Sequence, residues 1–253
     1  YLGNMYRKGQ GVPQDDAEAV KWFRKAAEQG DDPAQYSLGN MYRKGQGVPQ
    51  DDAEAVKWYR RAAEQGYTRA QFNLGVLFDE GRGVEESRAM AIDWWQKAAA
   101  GGHKQALHNL GLAHLFGRGV AKDFDKAIGF FKQASSRGLA RSQYNLGKMY
   151  AVGFGVEQDQ SQAFKWIMMA AESGVHQAQY NIGKMFRDGT GTDADARSAA
   201  RWFLAAANQG YAKAQHHIGV RLAKGEGVAK DGVEALKWMI LADRAGHRNA
   251  AEK

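Results

Sequence analysis

One glycine recurs every 36 residues along this chain: Gly3, Gly39, Gly75, Gly111, Gly147, Gly183 and Gly219. Two other landmarks keep the same step. A Gly-x-Gly pair stands at 9/11, 45/47, 81/83, 117/119, 153/155, 189/191 and 225/227. A closing glycine runs from Gly30 and Gly66 through Gly102, Gly138, Gly174 and Gly210 to Gly246. No insertion shifts the register. A fixed period of this length argues against one large globular core. Each unit is a single supersecondary element that buries its apolar face only by stacking on its neighbours.

Residues 31–66 serve as the type unit. Asp31 or Asp32 can cap a first helix, with Pro33 in its first turn, and this helix A is expected over 33–44. Ala34, Leu38, Met41 and Tyr42 fall at spacings of three and four, one apolar face of a 3.6-residue period. Gly39 sits inside that helix, where glycine costs about 1 kcal/mol against alanine. Its return in every unit calls for close approach of a partner helix. Gly45 ends helix A as a left-handed cap, Gly47 and Val48 shape the loop, and Asp51 starts helix B. The same position holds Asp15, Ser87, Asp123, Asp159, Asp195 and Asp231, all good N-caps. Helix B carries Ala55, Trp58, Tyr59, Ala62 and Ala63. The stripe Trp22, Trp58, Trp94, Phe130, Trp166, Trp202, Trp238 is expected to be core, packed against the small residues. For the helix A stripe Tyr36, Phe72, His108, Tyr144, Tyr180, His216, groove contact and packing both remain open.

The shared pattern A-x-x-x-L-G-x-x-Y-x-x-G-x-G-V-x-x-D-x-x-x-A-x-x-W-[FYW]-x-x-A-A-x-x-G resembles the Sel1-like repeat, a relative of the tetratricopeptide repeat with two more residues in the inter-helix loop. The resemblance covers essentially the whole chain. It implies an all-α fold, a right-handed α/α superhelical solenoid of 36-residue hairpins, with helix A on the concave face and helix B on the convex face. The chain 1–253 is then a single array: a truncated unit at 1–30, complete units at 31–66, 67–102, 103–138, 139–174, 175–210 and 211–246, and a stub at 247–253. Departures are few. Thr192 replaces the loop valine, His114 and Leu222 replace the helix A aromatic, and Asp243 replaces an alanine near the end of helix B, which suggests a last unit that is less tightly packed or faces water. Some family members carry disulfides; this chain has no cysteine, so packing alone must hold it and thiolate metal sites are excluded.

The sequence offers no catalytic constellation. Some relatives are linked with penicillin recognition and β-lactam hydrolysis, chemistry that uses Ser-x-x-Lys in serine enzymes. The eight serines are followed at that spacing by Asn40, Met90, Gly138, Leu139, Asn145, Phe164, His176 and Arg201, never lysine. The seven histidines are scattered: His103 and His247 are four periods apart, and adjacent His216 and His217 point to different sides of a helix. No metal or cofactor is expected. Apolar runs fall short of the ~18 residues of a membrane span. The formal net charge of +7 is spread over nearly every unit, which suits an acidic partner more than a nucleic acid, whose binding needs a basic stripe interleaved with aromatics.

Positions that vary between units are where recognition can reside. Residues 2–22 and 38–58 are identical, but the unit at 103–138 reads HKQALHNLGLAHLFG, placing Leu112, Leu115 and Phe116 where Asn40, Arg43 and Lys44 stand in the type unit. Acidic Asp79/Glu80 on one side and basic Lys148, Lys184 and Arg187 on the other make a mixed surface. The expected function is a non-enzymatic protein–protein scaffold with a protein or peptide in the concave groove. Its contact residues are Phe72, His108, Leu112, Leu115, Phe116, Tyr144, Lys148, Tyr180, Lys184 and Arg187. The resemblance implies a bacterial protein of the envelope, of host contact or of immunity against toxins; a monomer is expected, periplasmic or secreted, with the cytoplasm as the alternative. The alternatives are a β-lactam-hydrolysing or penicillin-binding enzyme and a polyanion or nucleic-acid binder.

Overall fold

A computed structural model describes residues 2–246; Tyr1, His247 and the expected stub at 247–253 lie outside the described residues. Those described form fourteen α-helices and no strand. The A helices are α1 (Leu2–Lys8), α3 (Asp32–Lys44), α5 (Thr68–Glu80), α7 (Lys104–Phe116), α9 (Ala140–Val152), α11 (His176–Asp188) and α13 (Ala212–Lys224). The B helices are α2 (Asp16–Glu28), α4 (Asp52–Glu64), α6 (Arg88–Ala100), α8 (Phe124–Ser136), α10 (Gln160–Glu172), α12 (Ala196–Asn208) and α14 (Gly232–Arg244). The expected capping holds. The Asp51 carboxylate accepts from the Glu54 N–H at 2.9 Å, Asp31 accepts from Ala34 at 2.7 Å, and Gly45 closes α3 in the left-handed region at φ +66°. Thus helix A begins at Asp32, one residue before the expected Pro33.

The chain divides into two compact bodies, residues 1–130 and 131–253, with the division inside α8. Within each body the closely packed helix pairs are consecutive in the chain.

The helix A glycine meets helix B of its own hairpin closely, as expected. A Cβ on Gly39 would stand 2.7 Å from the Tyr59 ring, and one on Gly183 would stand 2.8 Å from Phe203. The residue against the glycine is therefore the one after the tryptophan: Phe23, Tyr59, Trp95, Ile167, Phe203, Met239. The tryptophan packs in the seam between the preceding helix B and helix A of its own hairpin. Trp58 joins the cluster of Ala19, Val20 and Phe23 on α2 with Leu38 and Met41 on α3, and Trp202 packs on the α10–α11 cluster. Trp58 and Trp94 are buried, but Trp22, Trp166, Trp202 and Trp238 are only half-buried.

Hairpins are joined by two devices repeated through the chain. The second glycine of the Gly-x-Gly pair, at Gly47, Gly83, Gly119, Gly191 and Gly227, lets a loop lie on the start of the preceding helix B. A Cβ on Gly47 would sit 2.2 Å from the Asp16 carbonyl oxygen, and one on Gly191 would sit 2.0 Å from that of Gln160. A buried glutamine near the start of helix A then ties back to the preceding helix B. The side-chain amides of Gln35, Gln71, Gln179 and Gln215 donate to the carbonyls of Ala27, Ala63, Ala171 and Ala207 at 3.1–3.4 Å. Buried Leu107 takes this position in α7. The substitution at Asp243 behaves as expected: it is exposed, where Ala27, Ala63, Ala171 and Ala207 are buried.

Candidate functional site

Five of the ten expected contact residues lie in each body. In the first, Phe72 of α5 is half-buried and stacks on His103 with ring centroids 4.4 Å apart. His108, Leu112 and Leu115 of α7 are half-buried. Phe116, at the end of that helix, is 55% exposed, with the Arg118 guanidinium 5.2 Å over its ring. Leu112 lines a small cleft of about 110 Å³ with Asp79, Ile92, Trp95 and Asn109. The one-turn shift from Leu112 to Phe116 explains the graded burial. Leu112 leans toward the interior, whereas Phe116 stands on the last turn before the Gly117 cap, in the register position of Lys44 and Glu80.

His114, the departure from the helix A aromatic, is buried and stacks on Phe130 at 5.6 Å. It performs the packing role of the aromatic it replaces.

In the second body, Lys148 of α9 and Lys184 of α11 line one cleft of about 300 Å³. The Tyr144 hydroxyl accepts from the Asn181 amide at 3.0 Å, and Lys148 Nζ lies 5.8 Å from the Tyr144 ring centroid. Tyr180 is drawn into packing. Its ring lies 5.8 Å from Phe203, 5.3 Å from Tyr211 and 5.5 Å from His217. The helix A stripe thus serves packing at Tyr180 and Phe72 while keeping an exposed edge. Arg187 holds Asp188 through Nε–Oδ1 at 2.6 Å and Nη2–Oδ2 at 2.8 Å. That guanidinium keeps the Asp188 carboxyl below its usual range.

Sequence reasoning passed over three members of this region. Ile167 and Met185 form the floor of the larger cleft, and Arg221 of α13 is buried over the Phe203 ring, 5.4 Å from its centroid. Burial pulls the Arg221 pKa down, and Nη1 donates to the Glu226 carbonyl at 3.3 Å. Arg221 stands at the register position of Met41, Met149 and Met185, and a charge at a methionine position was a visible signal. Among the described residues no group of three or more His, Asp or Glu side chains is placed to hold a metal ion. None of their helices is long and apolar enough to cross a membrane.

Tandem helical hairpins that present variable side chains on exposed helix A edges define a repeat protein of the interaction-scaffold class. The chain belongs to the Sel1 repeat family: the family profile matches residues 1–31, 32–67, 68–103, 104–139, 140–175, 176–211 and 212–247. These bounds run one residue later than those read from the glycines.

Among solved structures, the chain is similar to a protective antigen present in uropathogenic Escherichia coli strains that displays an SLR fold. The match has 36% identity and a TM-score of 0.95, over 98% of this chain and 53% of the antigen. The chain therefore spans about half the length of that protein. It is also similar to a Sel1 repeat protein from Oxalobacter formigenes, at 28% identity and TM-score 0.82, over 95% of both chains. An immunity protein from Pseudomonas aeruginosa shares the fold at 19% identity and TM-score 0.51, over 92% of this chain and 84% of that one. No curated protein sequence matches the chain.

Proposed function

We propose that this chain is a non-enzymatic scaffold that binds a protein partner along its helix A faces. Phe116, Leu112 and Leu115 are the apolar anchors in one body, flanked by Phe72 and His108. Lys148, Lys184 and Arg187 are the basic contacts in the other, beside Tyr144 and Tyr180. The observation that carries this reading is the exposure of Phe116 at a position that is charged in most other repeats. An exposed aromatic beside half-buried leucines supplies the kind of anchor that dominates binding energy. The absence of any Ser-x-x-Lys from the sequence favours binding over β-lactam chemistry. A monomeric protein of the periplasm or cell exterior is part of this proposal. Immunity against a toxin is among the roles that the proposal includes.

The test is affinity capture from the native organism with wild-type protein, Phe116→Ala and Leu112→Asp, alongside cell fractionation and size-exclusion chromatography. One partner should be retained by wild type and lost from both variants, each anchor contributing about 2 kcal/mol or more, with melting unchanged. Retention by both variants would refute the assignment. Nitrocefin should not be turned over by pure protein; turnover abolished by one point substitution would overturn the non-enzymatic reading.

A further inference from the structure

The two clefts described above occupy the same place in the repeat. Trp95, Asn109 and Leu112 of the smaller stand 72 residues, two periods, before Ile167, Asn181 and Lys184 of the larger. Their difference in size has an identifiable cause. Between the first and the second, Trp95 becomes Ile167, Arg88 becomes Gln160, Arg118 becomes Thr190 and Asp79 becomes Ala151. These four shortenings outweigh the enlargements Ala113 to Met185 and Leu112 to Lys184, and the volume rises from about 110 to about 300 Å³. Position 167 is decisive because its equivalents Phe23, Tyr59, Trp95, Phe131 and Phe203 are aromatic, Met239 alone sharing the departure. An aliphatic side chain there leaves open the space that a ring fills elsewhere.

The lining of the larger cleft has a definite chemistry. Its floor is apolar, built from Ile167 (3% exposed) and Met185 (8%), and Val152, 56% exposed, extends that surface to the rim. The rim carries Lys148 and Lys184. Neither has a carboxylate within ion-pair distance among the described residues. The one acid in the lining, Asp188, is already neutralised by Arg187. Asn181 and Gln160 spend amide donors inside the protein, on the Tyr144 hydroxyl and the Ala151 carbonyl, both at 3.0 Å. The cleft thus presents two ammonium groups without an ion-paired carboxylate above an apolar floor, with Lys148 also lying over the Tyr144 ring. Aliphatic walls offer no platform for stacking a base, which weighs against nucleic acid.

We propose that this cleft binds an acidic peptide, seating an aliphatic side chain on Ile167 and Met185 and a neighbouring carboxylate between Lys148 and Lys184. This rests on the reading of the helix A face as the partner-binding surface and names the chemistry of one subsite on it. The ammonium groups supply orientation and steering, and the floor supplies the buried apolar contact.

The test is fluorescence anisotropy at low salt with the labelled peptide Glu-Asp-Leu-Leu-Asp-Glu. The controls are its neutral counterpart Gln-Asn-Leu-Leu-Asn-Gln, the leucine-free Glu-Asp-Gly-Gly-Asp-Glu and a ten-nucleotide oligothymidine. The acidic leucine peptide should bind about tenfold or more tighter than either control peptide. Ile167→Trp, which installs the ring of the equivalent Trp95, should remove saturable binding. The surface double variant Lys148→Gln/Lys184→Gln should weaken it about tenfold, and it decides the matter if Ile167→Trp fails to fold. Lys57→Gln, an exposed change on α4 outside both clefts, should leave peptide binding unchanged. Equal binding of the neutral peptide, wild-type affinity in the double variant, or preferential binding of oligothymidine would each overturn the proposal. If the peptide fails to bind while partner capture is still lost in Leu112→Asp, the cleft assignment falls and the scaffold reading stands. Peptide binding with partner capture insensitive to Leu112→Asp and Phe116→Ala would have the opposite meaning.

Discussion

Adjacent helix residues do unequal work in this chain. Phe203 is fully buried and lies against Gly183, whereas Trp166, one of the expected core tryptophans, is half-buried. Phe203→Ala should cost about 3–5 kcal/mol, as for large-to-small changes in a packed core. Trp166→Ala should cost less, because part of that ring already meets water. Chemical unfolding midpoints check the order, and a larger loss at Trp166 would contradict it. The sequence showed that an aromatic pair at 22/23, 58/59 and 94/95 packs inward. It did not show which member meets the glycine, because neighbouring helix residues are about 100° apart and both fall within a broad apolar stripe. The glycines divide in the same way. Gly47 has φ +69° and the Asp16 carbonyl oxygen 2.2 Å from where a Cβ would stand; Gly66 has φ +91° and open space. Gly47→Ala should therefore cost about 2–4 kcal/mol from strain and overlap together. Gly66→Ala should cost about 1–2 kcal/mol from backbone strain alone. Equal losses would show that the loop can move off the preceding helix.

At the scale of the element, the helices and their caps were legible because each end carries its own local signal: aspartate at the start, glycine at the close. The glutamine ties were not. Gln35, Gln71, Gln179 and Gln215 read as solvated helix residues until their amides are seen reaching the carbonyl of a residue eight positions earlier, in another helix. Leu107 shows that an apolar side chain can also fill the position. The contact between α11, α12 and α13 brings a titratable group inward. His217 stacks on Phe203 at 4.9 Å and lies 3.3 Å from the Tyr180 hydroxyl. Burial, chiefly, pushes its pKa from 6.5 down to about 4, and Arg187, His216, Arg221 and Lys184 lower it further. A depressed histidine pKa means the unfolded chain binds more protons between those values. Stability therefore rises with pH through this window; it falls as pH drops from about 6.5 and levels off below about 4. Because the ring is only partly buried, the loss should be about 1–2 kcal/mol. Thermal melts of wild type and His217→Gln at pH 7 and pH 4.5 isolate it. An undiminished difference in the variant would assign the pH response to other groups.

For the whole molecule, the repeat period foretold the helix count and order, because every unit repeats one local pattern. The clefts were hidden, since they depend on a side-chain size difference between Trp95 and Ile167 that matters only once three helices are placed around it. The same local construction governs how the protein should respond to damage. Closely packed helix pairs are consecutive within each body, so stability is a sum of unit terms and nearest-neighbour interfaces. Phe203 contributes to α11–α13 through Gly183, His217 and Arg221. Native-state hydrogen exchange of Phe203→Ala should therefore show loss of protection concentrated in α11–α13. Amides there should exchange about tenfold faster or more, while those of α3–α6 keep wild-type rates. A uniform rise over both bodies would mean that the chain unfolds as one cooperative unit, and that stability is not a sum of local terms.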